Sequence, residues 1–176
     1  MTRLFISLIA AAGVASTAAY AADPAPSIAA STDMAVSTDT FLAQVAGGNQ
    51  FEIDSGGLAL TRTKSEAVRM FATQMIADYS GAAIKFKKAI TEANLKAPPE
   101  GTDARHLAII ADLRKMDGAA FDKAYIDAQY KAHVETVALF EAYAAQGDNS
   151  RMRQFAQEML PTLRSHLDHV KKLKAS

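Results

Sequence analysis

Arg69-Met70-Phe71-Ala72-Thr73-Gln74-Met75-Ile76 and Arg153-Gln154-Phe155-Ala156-Gln157-Glu158-Met159-Leu160 repeat one pattern, with Arg, Phe, Ala and Met at the same spacing and Ile or Leu closing it. Each copy opens the second arm of a helix-turn-helix pair, so the chain reads as a duplicated helical hairpin. One hairpin cannot bury its own apolar faces, and two together make a four-helix bundle. The fold class is therefore all-α, with no strand pattern longer than a few residues.

The apolar stripes extend outward from these two copies. Thr63-Lys64-Ser65-Glu66 offers a T-x-x-E capping box for the second helix. That helix carries Val68, Phe71, Ala72, Met75, Ile76, Tyr79, Ala83, Phe86 and Ile90 at steps of three and four. The first helix is expected from Asp39 or Thr40 to Thr61, with Phe41, Val45, Asn49, Glu52, Ile53, Gly56, Ala59 and Leu60 inward. Its glycines cost helix stability, about 0.8–1 kcal/mol each against Ala. Gly48 and Gly56 fall on the inner face, where they would let a neighbouring helix approach.

Leu95 to Gly101, with Pro98-Pro99, breaks the second helix. A short amphipathic helix is expected from Asp103 to Met116, carrying Leu107, Ile110 and Leu113, and Asp117-Gly118 ends it. A long helix then runs from Ala119 to Ala145 and buries Phe121, Tyr125, Thr136, Leu139, Phe140 and Tyr143. Gly147 to Ser150 is a turn with ready caps. The last helix places Met152, Phe155, Ala156, Met159, Leu163, His166, Leu167 and Val170 on one face, with Pro161 pointing outward and expected to kink it.

The N-terminus has the form of an export signal. Met1-Thr2-Arg3 is a short basic start, Leu4 to Ala15 is mostly apolar, and Ala19-Tyr20-Ala21 is a small-x-small cleavage site. The apolar run is shorter than the ~20 residues of a spanning helix. Residues 1–21 are thus expected to be a signal peptide, 22–38 a flexible Ala/Ser/Thr/Pro linker, and 39–174 the bundle domain. Cleavage leaves about 155 residues, ample for one core. The chain holds 19 basic and 19 acidic side chains and no cysteine. Near-neutral charge points away from nucleic acid. Lack of cysteine removes disulfides, thiolate metal ligands and a cysteine nucleophile.

Four large polar groups fall within the apolar faces near mid-helix, one from each main helix: Glu52, Tyr79, His133 and His166. Asp78, Glu135 and His169 lie at the stripe edges, and His106 has no visible partner. A carboxylate and two imidazoles aimed into a bundle are the groups with which helical proteins build metal sites. At 1.5 Å per residue, Glu52 lies roughly 16 Å from the first hairpin turn and His166 roughly 27 Å from the second. The four residues share a level only if the short third helix carries the chain back across the bundle. The alternative is a hydrogen-bonded polar network that fixes helix register. The chain has no E-x-x-H motif and no G-x-S-x-G nucleophile. His166 and His169 stand at i, i+3 spacing, and the glycine pairs lie within a helix pattern, away from any phosphate loop.

Several stretches together resemble a family of exported bacterial proteins catalogued as domain of unknown function 4142, whose members are often labelled membrane or outer-membrane proteins. They are Phe41-Leu42 through Glu52, Gly57 to Leu60, Val68 to Asp78, Gly118 to Tyr125, His133 with Ala138 to Glu141, and Leu160 to Leu167. The resemblance implies a ferritin-like bundle and export, and no established activity. Glu52, His133 and His166 match the family's recurring polar positions. Tyr79 stands where the family usually has His; tyrosine binds ferric iron or donates a hydrogen bond.

The expectation is an exported, periplasmic or envelope-associated bundle that acts as a non-catalytic binding or stress-related module rather than an enzyme. Its partner is unknown, no transmembrane helix is expected in the mature chain, and outer-membrane association is left open. The alternative is a ferritin-like protein that binds a transition metal such as iron through Glu52, His133 and His166, with Tyr79 as a fourth group.

Overall fold

The computed structural model describes residues 36–175; the expected signal peptide and nearly all of the expected linker lie outside them. Five helices follow one another: α1 (Thr38–Arg62), α2 (Glu66–Glu92), α3 (Ala104–Leu113), α4 (Gly118–Gln146) and α5 (Ser150–Ala175). No strand occurs among the described residues, and none of their helices is long and apolar enough to cross a membrane.

Side-chain capping sets several helix starts. Ser37 accepts from Thr40 N at the head of α1, Ser65 from Val68 N at α2, and Asp103 from His106 N at α3. The expected capping box is displaced by two residues. Thr63 closes α1, its amide donating to Ala59 O, and its hydroxyl accepts from Ser65 N at 3.0 Å. Ser65 is the cap, and Glu66 turns to Arg69 instead of reaching back. At the second turn Asn149 Oδ1 accepts from Met152 N at 3.0 Å. Pro161 sits exposed within a continuous α5.

The two hairpins, α1–α2 and α4–α5, pack antiparallel to each other. Phe41, near the start of α1, stacks on Tyr143 at the end of α4 with 3.9 Å between centroids. At the other end of α1, Arg62 meets Asp117 at 2.9 Å. Likewise Glu92, closing α2, pairs with Arg151 at the start of α5 at 2.7 Å. The two hairpin turns therefore lie at opposite ends of the bundle. The segment through α3 makes the single crossover that two hairpins with turns at opposite ends require. It runs back along α1 and α4, with Thr102 on Asp54 and His106 on Phe51.

The repeated motif occupies equivalent places. Phe71, Phe155, Ala72 and Ala156 are buried together with Met75 and Met159. Both arginines reach back to carbonyls of the preceding turn: Arg69 to Leu60 O and Thr63 O, and Arg153 to Gly147 O. Gly56 answers the expected close approach, because a Cβ there would stand 2.8 Å from Ile76 Cγ1 on α2. Gly48 does not, since a Cβ there meets nothing within 4 Å. It is Gly47 that is pressed, against the Asp103 carboxylate. Leu107 is exposed, so α3 is anchored by Ile110 and Leu113 alone of its expected stripe.

Candidate functional site

Helical periodicity delivers polar side chains from four helices into one layer. On α1, Glu52, Ser55 and Ala59 share a buried face. On α4, Tyr125, Gln129 and His133 follow at steps of four. His166 takes its turn in the α5 stripe between Leu163 and Val170. On α2, Tyr79 points inward while its neighbour Asp78 stays half-buried at the rim. The crossover brings all four to one level, as the depth argument required.

His133 is completely buried. Its Nδ1 lies 2.9 Å from the Gln129 carbonyl oxygen. A carbonyl only accepts, so Nδ1 carries the proton and Nε2 presents a lone pair. Tyr79 OH lies 3.3 Å from that Nε2 and donates to it. His166 is fixed in the opposite sense. Its Nε2 donates to the Asp78 carboxylate at 2.8 Å, which leaves Nδ1 as the lone-pair nitrogen. That Nδ1 is buried and has no hydrogen-bond partner. In each imidazole, then, one N–H is held by an oxygen; the other nitrogen accepts from Tyr79 in His133 and has no partner in His166. This is the outer-shell arrangement that orients metal-binding histidines.

The rings of Tyr79, His133 and His166 form a nearly equilateral triangle, with centroid separations of 5.7, 5.7 and 6.0 Å. Two imidazole nitrogens about 2.0–2.1 Å from one ion leave their ring centroids roughly 5–6.5 Å apart. The 5.7 Å between His133 and His166 falls in that range. Glu52 enters the same layer at the opposite edge of His133, its Oε1 3.8 Å from Nδ1. Glu52 Oε2, Gln129 Oε1 and Tyr125 OH are also buried without partners, while Gln129 Nε2 donates to Ser55 Oγ at 3.1 Å. No three His, Cys, Asp or Glu side chains converge on a common point among the described residues. The convergent set is two imidazoles and a phenol, with Glu52 behind them.

Burial dominates the electrostatics. It pushes the Glu52 carboxyl up to about 8, opposed by the Gln129 side chain. It lowers His133 to about 4, against the pull of the Gln129 carbonyl. His166 is lowered by burial too, with Asp78 resisting, and burial raises both Tyr79 and Tyr125 well above the usual phenol range. At neutral pH the layer is therefore uncharged: a protonated carboxyl, two neutral imidazoles and intact phenols. The contact between Glu52 and His133 is not an ion pair.

The residues at the stripe edges separate. Glu135 is exposed and paired with Arg105. His169 lies 3.2 Å from Gln74 Oε1 and edge-on to Phe71, so it does not join the inward-facing His166 as a surface chelate. His106 has partners after all: Nδ1 donates to Asp103, and the ring stacks on Phe51 at 4.5 Å. Asp78, marginal in the periodicity, holds His166. Gln129 and Ser55 escaped the reading. Their spacing to His133 and Glu52, four and three residues, was the available signal.

These features define an all-helical bundle with an uncharged, partly unsatisfied polar centre. The chain belongs to the family described as Domain of unknown function (DUF4142), whose model matches residues 23–173. Among solved structures it is similar to CopM in its Cu(II)-bound form, with 14% identity and a TM-score of 0.65, covering 79% of this chain and 96% of that one. It is also similar to a DUF305 protein from Streptomyces coelicolor, with 16% identity and a TM-score of 0.62, covering 78% and 90%. At these identities the likeness is one of fold. No curated protein matches the chain.

Proposed function

We propose that this protein is an exported, non-catalytic bundle that holds one first-row transition ion in its core. His133 Nε2 and His166 Nδ1 are the nitrogen ligands, Tyr79 the third group, and Glu52 a nearby carboxyl. The observation that carries this reading is the buried, unpartnered Nδ1 of His166, aimed inward by the grip of Asp78 on the opposite nitrogen. A buried acceptor without a partner costs about 1–3 kcal/mol, and an ion seated between the imidazoles would remove that cost. Imidazole donors suit Zn, Cu, Fe and Ni. CopM, which shares the fold, was solved with Cu(II), which makes that ion a natural first choice beside iron and zinc. The ligands start uncharged, so binding that deprotonates Tyr79 or Glu52 would tighten as pH rises.

The test is metal analysis of the purified protein, then thermal melts with and without Cu(II), Zn(II) or Fe(II). An ion that binds only the folded state stabilises it by RT ln(1+[L]/Kd), about 2.7 kcal/mol at a hundredfold excess over Kd. His133→Ala should abolish that gain. A second reading, a hydrogen-bonded scaffold, draws on the Tyr79–His133 contact. It requires that no ion raise the melting temperature, and that His133→Ala weaken the metal-free protein by about 1–3 kcal/mol.

Export belongs to the same proposal and rests on Arg3, the apolar run and Ala19-Tyr20-Ala21. The mature chain should begin at Ala22 and be released by osmotic shock. Intact mass showing residues 1–21 retained on membrane-bound protein would contradict it.

A further inference from the structure

A core site needs an entrance, and one face of the bundle has the features of one. α1, α3 and α4 enclose a groove of about 280 Å³ whose lining includes Gly48, Glu52, Asp103, His106, Glu135 and Thr136. Its mouth is acidic, with Asp103 and Glu135 against the single cation Arg105, which is already paired with Glu135. A cleft lined by one sign of charge concentrates counter-ions and speeds their arrival. His106 stands in this mouth. With Nδ1 held by Asp103 and the ring laid on Phe51, its Nε2 is the remaining donor atom. The carboxylate-held imidazole of His166 is thus repeated at the entrance.

Glu52 reaches from the mouth to the Nδ1 edge of His133, the edge away from its ligand nitrogen. It lines the groove, is 3% exposed, and keeps one oxygen without a partner while the other lies 3.8 Å from His133. Beside the groove, a cavity of about 30 Å³ is lined by Gly48, Asn49, Thr136 and Tyr79 and by apolar side chains such as Val45 and Phe155, and neither imidazole borders it; it has room for about one water-sized guest. Gly48 and Thr136 border both spaces. Gly48 is otherwise costly within a helix, and no neighbour within 4 Å requires the missing side chain.

We infer that this groove is the port through which a divalent transition cation is captured at His106 and passes Gly48 toward Tyr79 and the core imidazoles. The inference rests on the metal-binding reading above and adds its route. Gly48 keeps the passage open, and a large side chain there would stand in it.

The experiment is stopped-flow uptake of Cu(II), followed by quenching of tyrosine emission, with bound copper measured separately by equilibrium dialysis. Gly48→Leu should slow uptake by about tenfold or more at unchanged stoichiometry, while Gly48→Ala, too small to close the passage, stays near wild type. His106→Gln should remove the fast initial phase and leave the final amount bound unchanged. If Gly48→Leu fails to fold, His106→Gln decides alone. Unchanged rates in folded variants that still bind copper would overturn the route and leave the core site standing. No binding by the wild type would overturn the core site and the route with it.

Discussion

Two layers of the same four helices differ in how completely they are satisfied. Toward the start of α1, Phe41, Phe86, Phe140, Tyr143 and Phe155 pack ring against ring, with centroid separations from 3.9 to 6.0 Å. The buried tyrosine hydroxyl of that layer is provided for. Tyr143 OH meets Thr38 Oγ1 and Asp148, and Asp148 also accepts from the Thr38 amide at 3.1 Å. In the middle of the bundle, Glu52, Tyr125, Gln129 and His166 each leave a buried polar atom without a partner. Equal burial thus produces two outcomes. The end layer pairs its buried hydroxyls, whereas the middle layer keeps acceptors that only a donor or a cation would satisfy.

The strongest way to break this contrast is to empty both layers. Phe155→Ala and Phe71→Ala should each cost on the order of 3–5 kcal/mol in denaturant unfolding, because both rings are buried and their sites cannot collapse fully. A cost below about 1 kcal/mol at either position would mean that the repeated motif does not mark equivalent core sites.

The middle layer should also carry a pH signature between pH 4 and 8, whereas the shifted groups of the end layer, Asp148 and Tyr143, titrate outside that range. Glu52 has a folded value of about 8 against an ordinary 4.5, so its proton favours the folded state. That contribution is whole below pH 4.5 and is lost as pH rises through 8. His133 runs the other way, about 4 against 6.5, and its contribution is lost as pH falls from 6.5 through 4. The two oppose each other between pH 4.5 and 6.5. Above 6.5 Glu52 acts alone, and the metal-free protein should lose up to about 1.4 kcal/mol per pH unit until near pH 8. Glu52→Gln should flatten that decline, measured by urea unfolding across the range. A decline that persists in the variant would place the titrating group elsewhere.

Smaller effects test the end layer's polar seal and the surface. Asp148→Ala should cost about 1–2 kcal/mol, since it removes the acceptor of the Thr38 amide and one of the two partners of Tyr143 OH. It should also raise hydrogen exchange near Thr38. Lys88→Ala, which removes an exposed pair with Glu92, should change stability by less than about 0.5 kcal/mol.

Sequence periodicity carried most of the fold. A stripe of apolar residues at steps of three and four reports burial directly, and the repeat at Arg69 and Arg153 located the hairpins. Helix ends were less legible because Thr63 and Ser65 are both competent caps, and tertiary packing chose between them. Periodicity put Gly48 rather than Gly47 on the inner face, and only the path of the crossover shows that Gly47 is the one pressed by Asp103. At the polar centre, the wheel placed Glu52, Tyr79, His133 and His166 inward but could not say which edge of an imidazole each neighbour meets. Hydrogen bonds to Gln129 and Asp78 set that, and they depend on rotamers that no periodicity encodes. Gln129 itself was hidden because an amide in an apolar stripe carries no charge to draw notice.

The central claim is that two lone pairs, His133 Nε2 and His166 Nδ1, face a common guest. The most direct measurement is long-range proton–nitrogen NMR of the four imidazoles, recorded without metal and after one equivalent of Zn(II). The metal-free spectrum should show the proton on Nδ1 of His133 and on Nε2 of His166. Zinc should then shift the two unprotonated nitrogens of this pair and leave His106 and His169 at their starting positions at equilibrium. Opposite tautomers, or zinc shifts confined to His106 and His169, would contradict the claim and leave the polar centre a hydrogen-bonded scaffold.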